Sequence, residues 1–341
     1  MTESQAFPRI DITFAPRWWY DEYGMDFSES FWADPVARAE RSSEQKRLLY
    51  ERFGDVGLGE KEPTPRPDIE AYGDRFMAAL WGCRITYQND QAPAAMVLTD
   101  AWERMTNLQM PDIVNSPVVR RAFDEARLLR ERYGSCEGSI NFGGPLNNAV
   151  SVFGEEMLLA CMSEPPLARH VLTVMAETIL AVNDRVTSRI NGVDVAKGRE
   201  SGGIGNCPVC MISPETYREV VFPADHWMRQ QFRSFFLHHC GVFHPYADVY
   251  KPLNPDLLDI GGGTDLRTTR IAYPDTKMSL EIKAISLVGK NRDELDSMVA
   301  GMVHEAGPPE LITYMWVAEA GPELTDETIR NLLTCHERVM L

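Results

Sequence analysis

The chain has no long hydrophobic run, no surplus of positive charge and no disulfide framework, and each absence narrows what it does. No apolar stretch approaches the ~18 residues needed to cross a bilayer, so no membrane partner is expected. Lys and Arg number 34 against 50 Asp and Glu, a formal charge of −16, which argues against nucleic acid or an anionic membrane as a partner. Seven cysteines, at 83, 136, 161, 207, 210, 240 and 335, form an odd, scattered set. That pattern suits free thiols in a reducing compartment, some of them metal ligands. The opening MTESQAFPRID has neither the basic nor the apolar region of a secretory signal, so a cytoplasmic protein is expected. A glycine-rich phosphate turn after the first strand is also missing, since Pro16-Arg17-Trp18-Trp19-Tyr20 stands there. The run Gly261-Gly262-Gly263-Thr264-Asp265 lacks the lysine of a P-loop. It makes a turn, or lets a bulky ligand approach the backbone.

What is present is an alternation of short β-branched or aromatic runs with long amphipathic ones. Hydrophobic residues make up 44% of the 341, enough for a large core. Strands are expected at Ile10–Ala15, Arg84–Gln88, Ser139–Phe142, Val193–Ala196, Phe235–Cys240, Leu257–Ile260, Met278–Ala284 and Leu311–Val317. Helices are expected at Val118–Tyr133, Ala149–Met162, Pro166–Arg189, Pro214–Arg233 and Arg292–Glu305. Eight strands separated by helices predict a single (β/α)8 TIM barrel over residues 1–341. Residues 18–80 interrupt the rhythm with Arg, Glu and Pro and read as a helical insertion or lid over the barrel mouth.

In a barrel, chemistry gathers where strands end. Arg17, Trp18 and Trp19 follow the first strand, and Asn89 and Asp90 the second. Gly143-Gly144-Pro145 and Asn147 follow the third, and the loop Lys197–Met211 with Cys207-x2-Cys210 the fourth. His238, Cys240 and His244 end the fifth, Gly261–Asp265 follow the sixth, and Glu319 follows the eighth. Residues two apart on a strand share a face, so His238 and Cys240 project together. One imidazole and one thiolate are half of a tetrahedral zinc site; the plainer reading is a strand-end histidine beside a packed thiol. Cys207 and Cys210 are candidates for a further ligand or cofactor contact, against a tight loop whose thiols merely pack. Trp18 and Trp19 suit either a pocket wall or lid packing. Cys83, Cys136, Cys161 and Cys335 carry no other signal and read as packing residues.

Taken in order, these landmarks resemble the uroporphyrinogen decarboxylase superfamily. The resemblance rests on Gly143-Gly144-Pro145-Leu146-Asn147-Asn148-Ala149 with Phe153-Gly154-Glu155, and on Ile212-Ser213-Pro214-Glu215-Thr216-Tyr217 with Pro223. It continues through His238-x-Cys240-Gly241 to Thr325-Asp326-Glu327-Thr328-Ile329, covering roughly residues 80–335. The superfamily's metal-free decarboxylases carry an arginine-rich arm, of which Arg17 retains one residue, and Asp90 matches their substrate-binding aspartate. Its corrinoid-dependent methyltransferases carry His-x-Cys and a later cysteine as zinc ligands. His238 and Cys240 match the first two; at the third position Glu319 stands in Ala318-Glu319-Ala320.

The resemblance implies a zinc methyltransferase that moves a methyl group between a small methylated substrate and the cobalt of a separate corrinoid protein. No D-x-H-x-x-G corrinoid motif occurs in the chain, so the cobalamin comes on a partner. A carboxylate donates less charge than a thiolate, so Glu319 leaves Zn²⁺ a stronger Lewis acid and favours demethylation of a methoxy compound. Arg17 would anchor a carboxylate or phenolate, Trp18 and Trp19 would cover a ring, and Asp90 and Asn147 would complete the substrate contacts. The alternatives are a metal-free decarboxylase and a non-catalytic corrinoid or small-molecule binding protein.

Overall fold

A computed structural model describes residues 8–69, 72–136, 143–192, 198–335 and 338. Eight strands occur among them: β1 (Ile10–Phe14), β2 (Arg84–Gln88), β3 (Gln91–Met96), β4 (Arg199–Gly205), β5 (Phe232–His239), β6 (Leu257–Ile260), β7 (Lys277–Lys283) and β8 (Ile312–Ala320). Six form one sheet in the order β1-β8-β7-β6-β5-β4, and β2 and β3 form a separate pair. The pairings β1–β8, β8–β7, β7–β6 and β6–β5 are all parallel. The architecture is therefore mixed α/β, a six-stranded parallel sheet with helices.

The chain divides into two compact units. One comprises Met1–Met25, Lys46–Glu62 and Phe236–Leu341, and the other Asp26–Gln45 and Pro63–Phe235. The first holds β1, β6, β7, β8 and the second half of β5; the second holds β4, the first half of β5 and the β2–β3 hairpin. In the first unit one sheet face is a continuous apolar layer. Leu237, Leu258, Ile260, Leu280, Ile282, Met315 and Val317 are each at most 2% exposed. The helix Arg292–Ala306 opens with a capping box, in which Asn291 accepts from the Glu294 N–H and Glu294 reaches back to the Asn291 N–H.

Four sequence expectations need correction. Arg84–Gln88 is a strand, but it pairs antiparallel with Gln91–Met96 and lies outside the parallel sheet. Its partner escaped notice because Gln-Ala-Pro-Ala-Ala-Met has little β-propensity. β4 lies in the stretch expected to be loop: Arg-Glu-Ser-Gly-Gly-Ile-Gly is a poor strand former alone. There a Cβ on Gly202 would sit 2.3 Å from the Phe232 ring, so glycine is what lets β5 pack against it. The single helix expected at Ala149–Met162 is two, Pro145–Phe153 and Glu155–Ser163, broken where Gly154 takes φ 65°. The helix expected to reach Arg233 ends at Arg229, and β5 begins at Phe232. Ser139–Phe142 and Val193–Ala196 lie outside the described residues.

Residues 18–80 are largely helical, with helices at Pro16–Tyr23, Glu29–Ala33, Pro35–Phe53 and Phe76–Leu80. No helix among the described residues is long and apolar enough to cross a membrane.

In the second unit a buried acid anchors the exit of β4. Asp225 is fully buried and accepts from the Asn206 amide at 2.7 Å and the Tyr217 hydroxyl at 2.9 Å. Burial nevertheless pushes its carboxyl up to about 7. An unfolded aspartate takes its proton near pH 4, so between there and pH 7 the folded chain binds more protons than the unfolded one. Stability from this group is full at the acid end, falls as pH rises through that window and then levels. Against Asp225→Asn, the native protein should lose up to about 1.4 kcal/mol per pH unit there. Urea unfolding of both at pH 5, 6, 7 and 8 measures it; parallel pH profiles would show that Asp225 is ionised throughout.

Candidate metal centre

The polar face of the sheet in the first unit is set by register. His238 stands opposite Asp259, and Asp259 opposite Ser279. Ser279 stands opposite Tyr314, Glu281 opposite Trp316, and Lys283 opposite Ala318. Paired residues of parallel strands share a face, so this face carries charge and hydroxyls where the other is mainly apolar.

Asp259 is the hub. Its side chain is 9% exposed. Oδ1 accepts from Ser279 Oγ at 2.6 Å and from Trp316 Nε1 at 2.9 Å, while Oδ2 lies 2.8 Å from His238 Nδ1. An ionised carboxylate only accepts, so Nδ1 carries the imidazole proton and donates it. The other nitrogen, Nε2, then presents its lone pair, and Cys240 Sγ lies 3.0 Å from it. This is the tautomer a metal-ligating histidine adopts, with a carboxylate behind it. The donors suit a borderline-soft divalent ion, and the Nε2 and Sγ atoms are close enough to share one.

Cys240 itself lies one residue past the end of β5. Gly241, at φ 73°, turns the chain there, and Gly261 packs against that turn. A Cβ on Gly261 would lie 2.2 Å from the Gly241 nitrogen and 2.8 Å from the Cys240 carbonyl carbon. Thr264 Oγ1 ties the same turn, accepting from the Phe243 N–H at 2.9 Å and bonding the Gly261 carbonyl at 2.8 Å. Asp265 caps the next helix and donates its own backbone N–H to His244 Nδ1 at 3.2 Å. The glycine run thus seats one strand exit against another. His239 faces the opposite way, with its Nδ1 3.0 Å from the Tyr250 hydroxyl and its ring among Phe243, Tyr246 and Tyr250.

Glu319 sits on a bulge. Ile12 pairs with Val317 and Phe14 with Ala320, so two steps of β1 match three of β8. The extra residue turns Glu319 off the strict alternation, and its φ of 51° is a left-handed conformation unusual for a non-glycine residue. The side chain is exposed. Glu319 is not among the groups whose ligand atoms converge on His238 and Cys240.

Arg17 is exposed and pairs with Asp21 at 2.7 Å. Trp18 and Trp19 are 1% and 5% exposed and pack with Phe14 and Tyr23, Phe53 stacks on Phe14, and Arg52 lies over the Trp18 ring. Arg52 is held in turn by Glu22 and Asp326. Asp90 occupies the β2–β3 turn, and Asn147 the first turn of its helix. Cys207 begins the 3-10 helix Cys207–Met211 just past β4, and Cys210 lies within it; Cys207 is half-buried, and exposed Cys210 points its thiol at the Cys207 carbonyl. Cys83, Cys136, Cys161 and Cys335 are buried, and burial raises each thiol. Asp259, Ser279 and Trp316 were not singled out from sequence. The available signal was an acidic residue inside the apolar run Leu257-Leu258-Asp259-Ile260, costly there unless paired.

No family model and no curated protein matches the chain. Among solved structures it is similar to a methyltransferase from Methanosarcina mazei, at 14% identity and a TM-score of 0.63 over 97% of this chain and 94% of that one. It also aligns with a B12-independent methionine synthase from Shewanella sp. W3-18-1, at 10% identity and a TM-score of 0.45 over 98% and 97%. The likeness to the first is one of fold.

The closeness of Gly261 to the Cys240–Gly241 backbone is testable. Gly261→Ala forces backbone, not a flexible side-chain tip, to move and should cost about 1–3 kcal/mol. It should also alter the rate at which Cys240 reacts with a thiol reagent. Unchanged urea midpoint and unchanged reactivity would show that the turn has room.

Proposed function

We propose that the protein is a zinc-dependent methyltransferase that moves a methyl group between a small methoxy compound and the cobalt of a separate corrinoid protein. The observation that carries this reading is the His238–Cys240 pair with Asp259 behind the imidazole. The fold shared with the Methanosarcina mazei methyltransferase and the sequence landmarks of the uroporphyrinogen decarboxylase superfamily support it. The same reading takes residues 1–341 as one (β/α)8 barrel with 18–80 as its lid.

His238 Nε2 and Cys240 Sγ would hold the ion. Glu319, Cys207 and Cys210 are the candidates for the remaining positions. Zinc bound there supplies Lewis acidity to an ether oxygen, making the alkoxide or phenoxide a better leaving group. Asp259 keeps the imidazole in the ligating tautomer and strengthens it as a donor. Ser279 and Trp316 hold Asp259 in turn, so the ligand is positioned by three strands besides its own. A strained, exposed Glu319 fits a group whose conformation is set by function.

Protein purified without a metal-binding tag should carry one zinc per chain, lost in Cys240→Ala. Asp259→Asn should weaken zinc about 10- to 100-fold in a chelator competition. Among Glu319→Ala, Cys207→Ala and Cys210→Ala, those that lower affinity identify the remaining ligands. With Co(I) corrinoid protein and methoxy compounds, Glu319→Cys should slow ether cleavage. Absence of zinc after reconstitution would sink the mechanism.

A further inference from the structure

The polar sheet face carries a cation that the zinc reading leaves unused. Lys283 ends β7, two residues beyond Glu281 and opposite Ala318, so it shares the face of Asp259 and Trp316. Its stem lies along the glycine run: a Cβ on Gly262 would fall 2.7 Å from Lys283 Cγ and 3.2 Å from Cε. Glu281, the acid nearest it along the strand, is engaged elsewhere, accepting from the Gly262 N–H at 2.7 Å. Lys283 is exposed and makes no ion pair among the described residues. Beside it the half-exposed Trp316 is fixed by its bond to Asp259, with its ring 6.4 Å from that of His238. A cation, an indole and the imidazole–thiol pair therefore share one sheet face. β7 stands two strands, about 10 Å, from β5, which suits one benzene ring with an acid at one end and a methoxy group at the other.

We propose that Lys283 anchors the substrate's anionic group and that the substrate class is a small methoxylated aromatic carboxylate, its ring against Trp316. A carboxylate is favoured over a phenol because it is fully ionised at neutral pH. The inference deepens the methyl-transfer reading and rests on it for the methoxy group, but the anchor stands on binding alone. It assigns to Lys283 and Trp316 the roles that sequence gave Arg17, Trp18 and Trp19, since Arg17 is paired with Asp21 and both tryptophans are buried.

Calorimetric titration tests it, with 4-methoxybenzoate and its uncharged isostere 4-methoxybenzamide as probes, on protein with and without zinc and without corrinoid partner. The native chain should bind the acid about tenfold or more tighter than the amide. Lys283→Gln should erase that difference, and Lys283→Arg should restore most of it. Binding of the acid by Lys283→Gln at native affinity, or by the native chain not at all, overturns the proposal. Methyl transfer from 4-methoxybenzoate at equal rates in the native and Lys283→Gln proteins would overturn it and leave the methyl-transfer reading intact. Acid binding through Lys283 without any methyl transfer would uphold the anchor and sink that reading instead.

Discussion

The arrangement at the strand ends depends on a single buried carboxylate. Asp259 sits in the middle of β6 with little access to water, where an unpaired charge is costly. Three donors from three other strands meet it: His238 from β5, Ser279 from β7 and Trp316 from β8. Each bond to a charged acceptor is stronger than a neutral one, and together they offset the burial. The same bonds fix the imidazole tautomer and the indole plane. Charge satisfaction and site geometry are thus one requirement.

Backbone proximity supplies the second constraint. Cys240 lies just beyond its strand, and a side chain on Gly261 would collide with the turn that follows it. The glycine run is used for close packing of two strand exits, and Glu281 and Thr264 bond its backbone and hold it there. On the far side of the sheet β8 carries an extra residue at Glu319. A left-handed glutamate is energetically unfavourable by about 1–3 kcal/mol, which the flanking pairings of β1 with β8 sustain.

The sheet's two faces divide the labour. The apolar face is removed from water, which stabilises the fold by roughly 25 cal/mol for each Å² buried. The polar face carries Asp259 and its three donors, one of them the His238 imidazole beside Cys240. Near the start of the first unit, Trp18, Trp19, Phe14 and Phe53 form an aromatic cluster, with Arg52 lying over two of its rings and bound to Glu22 and Asp326. Those tryptophans looked like a pocket wall in sequence because an aromatic run after a strand fits either role.

Sequence by itself determined the α/β class, the positions of β1, β5, β6, β7 and β8, and the pairing of His238 with Cys240. Those follow from local periodicity and from spacing along one strand, which need no other part of the chain. The tertiary structure decided the rest. β4 is a strand because β5 packs on its glycines, although its own residues disfavour it. Arg84–Gln88 left the parallel sheet because its partner is the segment across a two-residue turn. Asp259 behind His238, the bulge at Glu319 and Lys283 beside Trp316 arise only from the register between strands distant in sequence. Register is set by packing and hydrogen bonding across the whole sheet, and no single segment encodes it.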